Sequence, residues 1–479
     1  ISAGSAVGSF NNLRHHLNII YSGNKWTSKI KAFHQSAEND FPFYNTALSD
    51  TPLQYQVNSA LEQKGLLFEN FFKLNKSQDL ELIIWYQNNE REIPPNMLKL
   101  EDKSTQSDES LRLTTEWKKS FGQNDIYIRS ALFNESILYE DISSETISSS
   151  MSSTVISEIE AKIKTGKDQL LSFGLNNTNT SAKADAYNGN IKQNRFSIFS
   201  LYKIALFNKK LESVIGLRQE MMSTSSIPIT WSAGLKYTLS KWLSLNFNSG
   251  KVYRLPTLND LYWVPGGNPN LLPESGYTSD LGLKFTISKK SIDLRFCPNI
   301  FNRNISNWII WLPEQSFWTP QNLMEVWSRG LETRTELNYT LKDLSVKLSL
   351  LSGYVLSTNE KKKSENDLSV GKQIIYVPIY SGSGKLSVSY KSFKLCYSQS
   401  YTGYRFISSD NSQYLAPYTL ANIYMAYNFK FEKFNTDFFL RLNNIFNENY
   451  QVVMNRAMPL INYQLGINFN FYHTKKTKK

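Results

Sequence analysis

With 479 residues and a formal net charge of +12, the chain could hold two or three soluble domains or one large closed β-sheet. Aromatic residues make up 14% of it although its mean hydropathy is −0.39, a balance that suits strands wetted on one face. No apolar run approaches the roughly 18 residues of a membrane helix, which excludes a helical membrane protein, and scattered Lys and Arg disfavour nucleic-acid binding.

Two segments of the first third of the chain predict different structures, one a strand and the other a loop. Gly8-Ser-Phe10 and the alternating residues that follow predict an early strand of a barrel. The Ser-rich run at 143–157 is low in aromatic residues, a composition typical of solvated loops. We therefore expect a strand near the start and a loop at 143–157.

The clearest strand pair lies at 230–252. Apolar residues alternate there with polar or small ones on both sides of a tight turn at Ser240-Lys241. The apolar members are Trp231, Ala233, Leu235, Tyr237, Leu239, Leu243, Leu245 and Phe247. A two-residue period on both sides of a turn predicts an antiparallel hairpin with one apolar and one polar face.

The same alternation returns in later segments, at 281–287, 337–341, 438–442 and 463–471. In a soluble sandwich the apolar side of such strands would meet a core. In a membrane barrel it would meet lipid, and the polar side would border a watery lumen. The recurrence favours the membrane.

The connections between these segments differ in length. Tight turns at 240–241 and 288–290 interleave with long segments at 254–276, 312–327 and 357–373, and the charged run 360–367 is typical of a loop. This asymmetry predicts an all-β fold, a large antiparallel transmembrane β-barrel with short periplasmic turns and long extracellular loops. At about 22 residues per strand and connection, we expect about 20 to 22 strands.

The long segment at 254–276 contains two specific motifs. It reads Tyr253-Arg-Leu-Pro-Thr-Leu-Asn-Asp-Leu-Tyr262-Trp263 and then Gly266-Gly-Asn-Pro-Asn-Leu-Leu-Pro-Glu274. These resemble the Arg-x-Pro-x-x-x-x-Leu-Tyr and Asn-Pro-x-Leu-x-Pro-Glu elements of the TonB-dependent outer-membrane receptors. The matching residues are Arg254, Pro256, Asn268, Pro269, Pro273 and Glu274. Because proline withholds a backbone donor, the segment predicts a rigid extracellular loop.

The last strand-like segment resembles the closing segment of the same family. Asn443-Asn444-Ile-Phe446-Asn447 is followed by Gln464, Gly466, Phe469 and Phe471, which are similar to the terminal signal read by the barrel-assembly machinery. An edge strand with an aromatic face can pair with that machinery and then with the first strand. Weaker resemblances occur at 327–332, 373–378 and 401–405.

The resemblance is strongest to the cobalamin and siderophore receptor group of Bacteroidetes-like bacteria. It implies that residues 1–471 are the receptor barrel and 472–479 a basic periplasmic tail, with the globular plug and energy-coupling box outside this chain. It further implies a Gram-negative outer membrane and energy-coupled uptake of a large scarce nutrient, such as cobalamin or a ferric siderophore. The implied partners are that nutrient chelate, outer-membrane lipid, the assembly machinery, a TonB complex acting through the plug, and a surface lipoprotein.

Aromatic and amide residues in the long loops are the candidates for ligand contact: Tyr262, Trp263, Asn268, Tyr401, Tyr404 and Arg405. Aromatic rings offer stacking area to a flat macrocycle or a catechol, and the guanidinium of Arg405 could pair with an anionic chelate. The competing interpretation places Trp and Tyr in the interfacial girdle against lipid head groups.

No catalytic, metal or cofactor site is expected. Glu90 and Glu92 flank Arg91 as a charge cluster at the rim, and adjacent His15 and His16 would point to opposite faces of a strand. Cys297 and Cys396 lack CxxC spacing, which favours buried or lipid-facing thiols. Two alternatives to the receptor stay open, a plugless outer-membrane porin or adhesin barrel and a secreted soluble β-rich binding protein.

Overall fold

The computed structural model describes residues 1–99, 101–222, 226–314 and 317–471, so the predicted tail at 472–479 lies outside the described residues. Within these ranges the chain forms 26 strands and one short helix, α1. No helix among them is long and apolar enough to cross a membrane. The strands are β1 (Ser2–Gly8), β2 (Asn12–Ser22), β3 (Trp26–Ala37), β4 (Pro42–Tyr44), β5 (Leu53–Tyr55), β6 (Leu61–Asn75), β7 (Gln78–Ile93), β8 (Ser104–Phe121), β9 (Asn124–Asp141), β10 (Thr146–Gly166), β11 (Gln169–Ala184), β12 (Ile191–Leu206), β13 (Leu211–Met221), β14 (Thr230–Thr238), β15 (Leu243–Arg254), β16 (Glu274–Lys289), β17 (Ile292–Glu314), β18 (Phe317–Leu341), β19 (Leu344–Asn359), β20 (Tyr380–Tyr390), β21 (Phe393–Thr402), β22 (Arg405–Phe406), β23 (Tyr414–Leu415), β24 (Tyr418–Lys430), β25 (Phe434–Asn443) and β26 (Asn462–Phe471); α1 spans Leu258–Tyr262.

Twenty-two of these strands form one closed antiparallel sheet. Each barrel strand pairs with the next barrel strand along the chain, so that β3 pairs with β6 and β21 with β24. The first strand, β1, pairs both with β2 and with β26, from Ser2 opposite Asn470 to Gly8 opposite Gln464. The two remaining pairs, β4 with β5 and β22 with β23, are small hairpins inside long loops. The predicted all-β barrel and its strand number are confirmed.

The wall of the barrel is a single layer with an apolar outer face. On β26 the outward series includes Tyr463 and Leu465, whose side chains are 50% and 48% exposed, and it alternates with inward Gln464 and Gly466. A two-layer sandwich would bury such an apolar series against a second sheet, whereas a membrane barrel turns it toward lipid. The predicted hairpin at 230–252 is confirmed as β14 and β15, with the same alternation.

The inner face of the wall is polar and charged. On β8 to β10 it carries a network in which Arg129 contacts Glu116, Glu158 and Glu160 at 2.6 to 2.8 Å. Such a lining is expected where one side of each strand borders water.

The two ends of the barrel differ in their connections. At one end, which we call the turn rim, successive strands are joined by short turns of two residues, as at 76–77, to four, as at 207–210. At the other end, the loop rim, the connections include 38–60, 255–273, 360–379, 403–417 and 444–461. The predicted asymmetry of short turns and long loops is confirmed.

Two predicted loops are wrong. Residues 312–314 and 317–327 belong to β17 and β18, which continue beyond the neighbouring strands and pair as far as Glu314 opposite Phe317. The Ser-rich run at 143–157 belongs mostly to β10, because that strand pairs along its length with β9 and β11. In both cases cross-strand hydrogen bonds override a composition that favours loops.

Candidate functional site

The loop 255–273 and the projecting part of β17 and β18 pack together at the loop rim. We call residues 307–314 and 317–325 the arm. The arm is paired with itself beyond a β-bulge between Ile305 and Ile309, so it is not held by the neighbouring barrel strands. Its inner side is covered by the loop 255–273, and the two form one unit, the loop–arm module.

A buried carboxylate joins the barrel wall, the loop and the arm. Arg254 ends β15 and Glu274 begins β16, and the guanidinium donates two hydrogen bonds of 2.7 and 2.5 Å to the carboxylate. Glu274 also accepts the backbone N–H of Ile309 in the arm at 2.9 Å. Because its side chain is 5% exposed, the bidentate pair is stronger than a surface ion pair would be.

A second buried carboxylate organises the loop. Thr257 and Asp260 form a reciprocal capping box at the start of α1, and Asp260 accepts the indole N–H of Trp311 at 2.9 Å. Beneath this contact Leu261, Leu271 and Ile309 form a small hydrophobic cluster. The loop is therefore rigid on its inner side, as its prolines predict; Pro256 and Pro273 are buried and Pro269 is exposed.

The structure assigns different surroundings to the predicted ligand residues of this loop. Tyr262 packs against the hydrophobic cluster. Asn268 donates to the carbonyl of Pro320 at 3.1 Å and accepts the N–H of Asn270, so its amide is engaged in holding the loop. Trp263 is exposed, and Val264 and Trp318 are exposed close by in the module. Of the three predicted residues, Trp263 alone presents its ring to solvent.

The predicted ligand residues near 401–405 lie in different surroundings. Tyr401 lies on β21 in the outward series with Phe393 and faces away from the lumen. Tyr404 is 53% exposed and meets Tyr414 edge to face, with ring centroids 5.0 Å apart. This pair of rings forms a free aromatic surface at the base of the β22–β23 hairpin.

Arg405 is buried rather than presented to solvent. Its guanidinium donates to the carbonyls of Val452 and Ala416 at 3.0 and 3.2 Å and lies 4.9 Å from the ring centroid of Tyr418. The ring of Tyr418 in turn packs at a tilt against that of Tyr450, and burial raises the pKa of Tyr450. Arg405 thus ties two long loops together, a role that its sequence context did not reveal.

Hydrogen bonds between neighbouring loops run around much of the loop rim. They join 185–190 to 255–273, the arm to 360–379, 360–379 to 403–417, 403–417 to 444–461, and 444–461 to the connections at 38–60 and 94–103. The contacts are Val264 to Ala186, Glu360 to Glu325, Gln373 with Asn411, Arg405 to Val452, Gln451 to Thr46 and Met97 to Asn455. These loops therefore form a connected belt around much of the opening of the barrel.

At the tip of the β22–β23 hairpin, the negative charge of Asp410 is stabilised by nearby serine hydroxyl groups. Hydrogen bonds from Ser408 and Ser412 lower the pKa of Asp410 to about 2. The carboxylate of Asp410 therefore stays negative over the physiological pH range.

Sequence reasoning missed the arm residues Ile309, Trp311 and Asn322. Asn322 accepts the N–H of Leu272 at 2.8 Å and donates to its carbonyl at 3.0 Å, as a paired strand residue would. The apolar run 308–312 was the available signal. Apolar residues follow one another there without alternating, which indicates a strand covered on both faces.

Gly266 marks the closest approach of loop and arm. Its φ is 118°, and a Cβ there would overlap the carbonyl oxygen of Trp318. We expect Gly266→Ala to separate the loop from the arm and to raise the rate of proteolytic cleavage within 255–273 by about tenfold or more, since strain at such φ alone costs about 1–3 kcal/mol.

Gly189 supplies the matched control for Gly266. It has a φ of 94° in the neighbouring 185–190 loop, but a Cβ added to it would have no atom within 4 Å, so Gly189→Ala adds strain without a clash. Equal cleavage rates in the two variants would show that the contact with Trp318 does not hold the loop.

Comparison with known proteins agrees with this architecture. A family model described as the β-barrel of TonB dependent receptor-like proteins matches residues 4–445. The vitamin B12 transporter BtuB of Photobacterium profundum is 27% identical over 228 residues, 46% of this chain and 34% of that protein. BtuB of Vibrio vulnificus (strain YJ016) is 29% identical over 154 residues, 32% of this chain and 24% of that protein. The matched part thus spans about a quarter to a third of the length of these relatives.

Solved structures share the fold at low sequence identity. The FrpB iron transporter of Neisseria meningitidis superposes with a TM-score of 0.79 at 11% identity, over 98% of this chain and 81% of that one. The ferric-catecholate import receptor Fiu of E. coli K12 gives 0.75 at 12% identity, with 98% and 81% covered. At these identities the likeness establishes the barrel and its topology.

Proposed function

The chain belongs to the TonB-dependent receptor β-barrel family, and on that premise we propose that it is the barrel of an outer-membrane receptor for energy-coupled uptake of a large scarce nutrient, such as cobalamin or a ferric siderophore. The observation that carries the proposal is the closed barrel of 22 strands with long, mutually bonded loops at one rim only. In this assignment the loop rim faces the outside of a Gram-negative cell and the turn rim faces the periplasm.

The proposal assigns partners to separate parts of the chain. The outward apolar face contacts outer-membrane lipid, and a TonB complex acts through a plug domain. A surface lipoprotein would meet the loop rim. The known relatives named as vitamin B12 and iron transporters support a nutrient chelate as the ligand class.

We propose that β26 carries the signal for the barrel-assembly machinery. Phe469 and Phe471 lie on its outward face, and Gln464 and Gly466 face the lumen, where a Cβ on Gly466 would overlap the ring of Phe439. β26 is also the strand that closes the sheet against β1. A strand that pairs last with β1 is free, before closure, to pair with another protein.

The exposed rings at the loop rim are the proposed ligand contacts, with Trp263 on the loop–arm module and Tyr404 on the β22–β23 hairpin. Both offer stacking area to a corrin or a catechol. Tyr262, Asn268 and Arg405 support them by holding the loops, because their polar groups or rings are engaged in packing.

We expect Trp263→Ala and Tyr404→Ala each to weaken binding of the cognate chelate about tenfold, which corresponds to about 1.4 kcal/mol. The measurement is equilibrium binding of cyanocobalamin and of a ferric catecholate to the full-length receptor in detergent. Trp242→Ala and Tyr390→Ala are matched controls, since both side chains are more than half exposed but lie at the turn rim. A receptor that binds neither probe, or that lets small sugars diffuse freely into liposomes, would contradict the proposal.

A further inference from the structure

One sector of the lumen wall differs from the rest in its charge. On β19, β20 and β21 the inward positions are mostly Ser or Lys, with Lys347, Lys385 and Lys394 set among serines such as Ser349 and Ser387. We call these inward positions of β19 to β21 the Ser–Lys wall. The outward positions of the same strands include Leu350, Leu386 and Phe393, so the alternation places the three lysines inside.

The lysines of the Ser–Lys wall have no carboxylate partners within the described residues, and all three are exposed to the lumen. The flanking acids are already engaged. Glu336 on β18 contacts Arg334 at 3.5 Å and Arg295 at 3.8 Å, and Asp437 on β25 accepts from Asn428 at 2.6 Å.

Several lysines elsewhere on the lumen face lie near carboxylates, although Lys29 and Lys284 form no ion pair within the described residues. Lys118 lies 3.3 Å from Asp125, Lys162 lies 3.6 Å from Glu160, and Lys236 lies 2.8 Å from Glu212. The Ser–Lys wall is therefore a positive patch without adjacent carboxylates among the described residues, and its Lys394 also lies 5.9 Å from the ring centroid of Tyr424. Such a patch raises the local concentration of anions.

The three lysines descend in steps toward the turn rim. Lys385 lies opposite Ser349, Lys347 lies opposite Ser387, and Lys394 lies opposite Ser389, so the second and third cations are two and four residues lower than the first. Each step of two residues is about 7 Å along a strand. Serine hydroxyl groups lie between the lysines and can donate hydrogen bonds to the oxygen atoms of an anion that the lysines attract.

We propose that the Ser–Lys wall is a binding track for an anionic ligand that carries phosphate or carboxylate oxygens, and that the ligand moves along it from mid-lumen to the turn rim. This deepens the proposed uptake function and rests on it. Several weak sites in series suit conduction, because a ligand must enter readily and also leave. Charge-assisted hydrogen bonds from lysine can bind such an anion weakly at each site without a closed pocket.

The test uses the 479-residue chain in planar bilayers, with folding checked by heat-modifiable mobility on a detergent gel. We expect anion selectivity, and a reversible block of the current by citrate and by pyrophosphate. In K347Q/K385Q/K394Q the anion-to-cation permeability ratio should fall about tenfold, the low end of the effect of a focused patch, and both blocks should weaken by a similar factor. The single variant Lys385→Gln gives a smaller shift of the same sign if the triple variant folds poorly.

The matched control K118Q/K162Q/K236Q removes the same charge from paired lumen lysines. Equal shifts in the two triple variants would mean that the total lumen charge sets selectivity and would overturn the proposal. A block by a decaglutamate peptide with none by citrate or pyrophosphate would overturn it too, because the wall would then hold an acidic protein segment. Chelate binding at the loop rim is measured separately, so failure here and failure of the receptor assignment are distinguishable.

Discussion

Replacing Leu350 by arginine should destabilise the folded barrel by about 2–4 kcal/mol, whereas arginine at the adjacent Leu351 should cost much less. The two side chains are almost equally exposed, at 43% and 42%, and both lie on β19. They differ in the side of the wall that they occupy, since Leu350 is in the outward apolar series and Leu351 faces the lumen. An arginine in the outward series must leave water for acyl chains, while one in the lumen stays hydrated.

The measurement is reversible unfolding by urea in phospholipid vesicles, with both variants compared with the unchanged chain. The pair controls for residue type, strand and exposure. Leu351→Arg would lie opposite Arg334, so a small repulsive contribution is expected even there. Equal destabilisation by the two substitutions would contradict the assignment of lipid to the outer face.

Glu274→Ala should lower the free energy of opening the loop–arm module by about 3 kcal/mol. The substitution leaves the Arg254 guanidinium without its carboxylate and the N–H of Ile309 without its acceptor. Breaking a fully buried pair costs about 3–5 kcal/mol, and the lower end applies because the Arg254 side chain is 50% exposed. Native-state hydrogen exchange reports this as loss of protection of the Ile309 amide by about 100-fold, with the barrel strands unaffected.

Glu365→Ala provides the control for Glu274→Ala, because Glu365 is an exposed carboxylate in another long loop, 360–379. Glu274→Gln should fall between the two, since the amide oxygen can still accept from Ile309 while the charge that pairs with Arg254 is lost. Unchanged protection of the Ile309 amide in Glu274→Ala would show that the arm is held by the hydrophobic cluster alone.

The sequence by itself determined the class of fold, because the side-chain period of a strand is two and the alternation is written directly in residues such as those of β14, β15 and β26. The same period separated the lipid face from the lumen face. The motif around Arg254 and Glu274 identified the rigid loop, since proline restricts the backbone whatever its neighbours are.

Only the tertiary structure decided which segments are strands, which side chains are buried and which charged groups have partners. The Ser-rich β10 is a strand because β9 and β11 supply its hydrogen-bond partners, and the arm is a strand because its two halves pair with each other. Arg405 is buried because carbonyl groups of residues 11 and 47 positions away meet its guanidinium. The lysines of the Ser–Lys wall have no carboxylate partners among the described residues because the register of the barrel places serines opposite them on the neighbouring strands. Each of these outcomes depends on contacts between residues distant in the chain, which a local pattern does not contain.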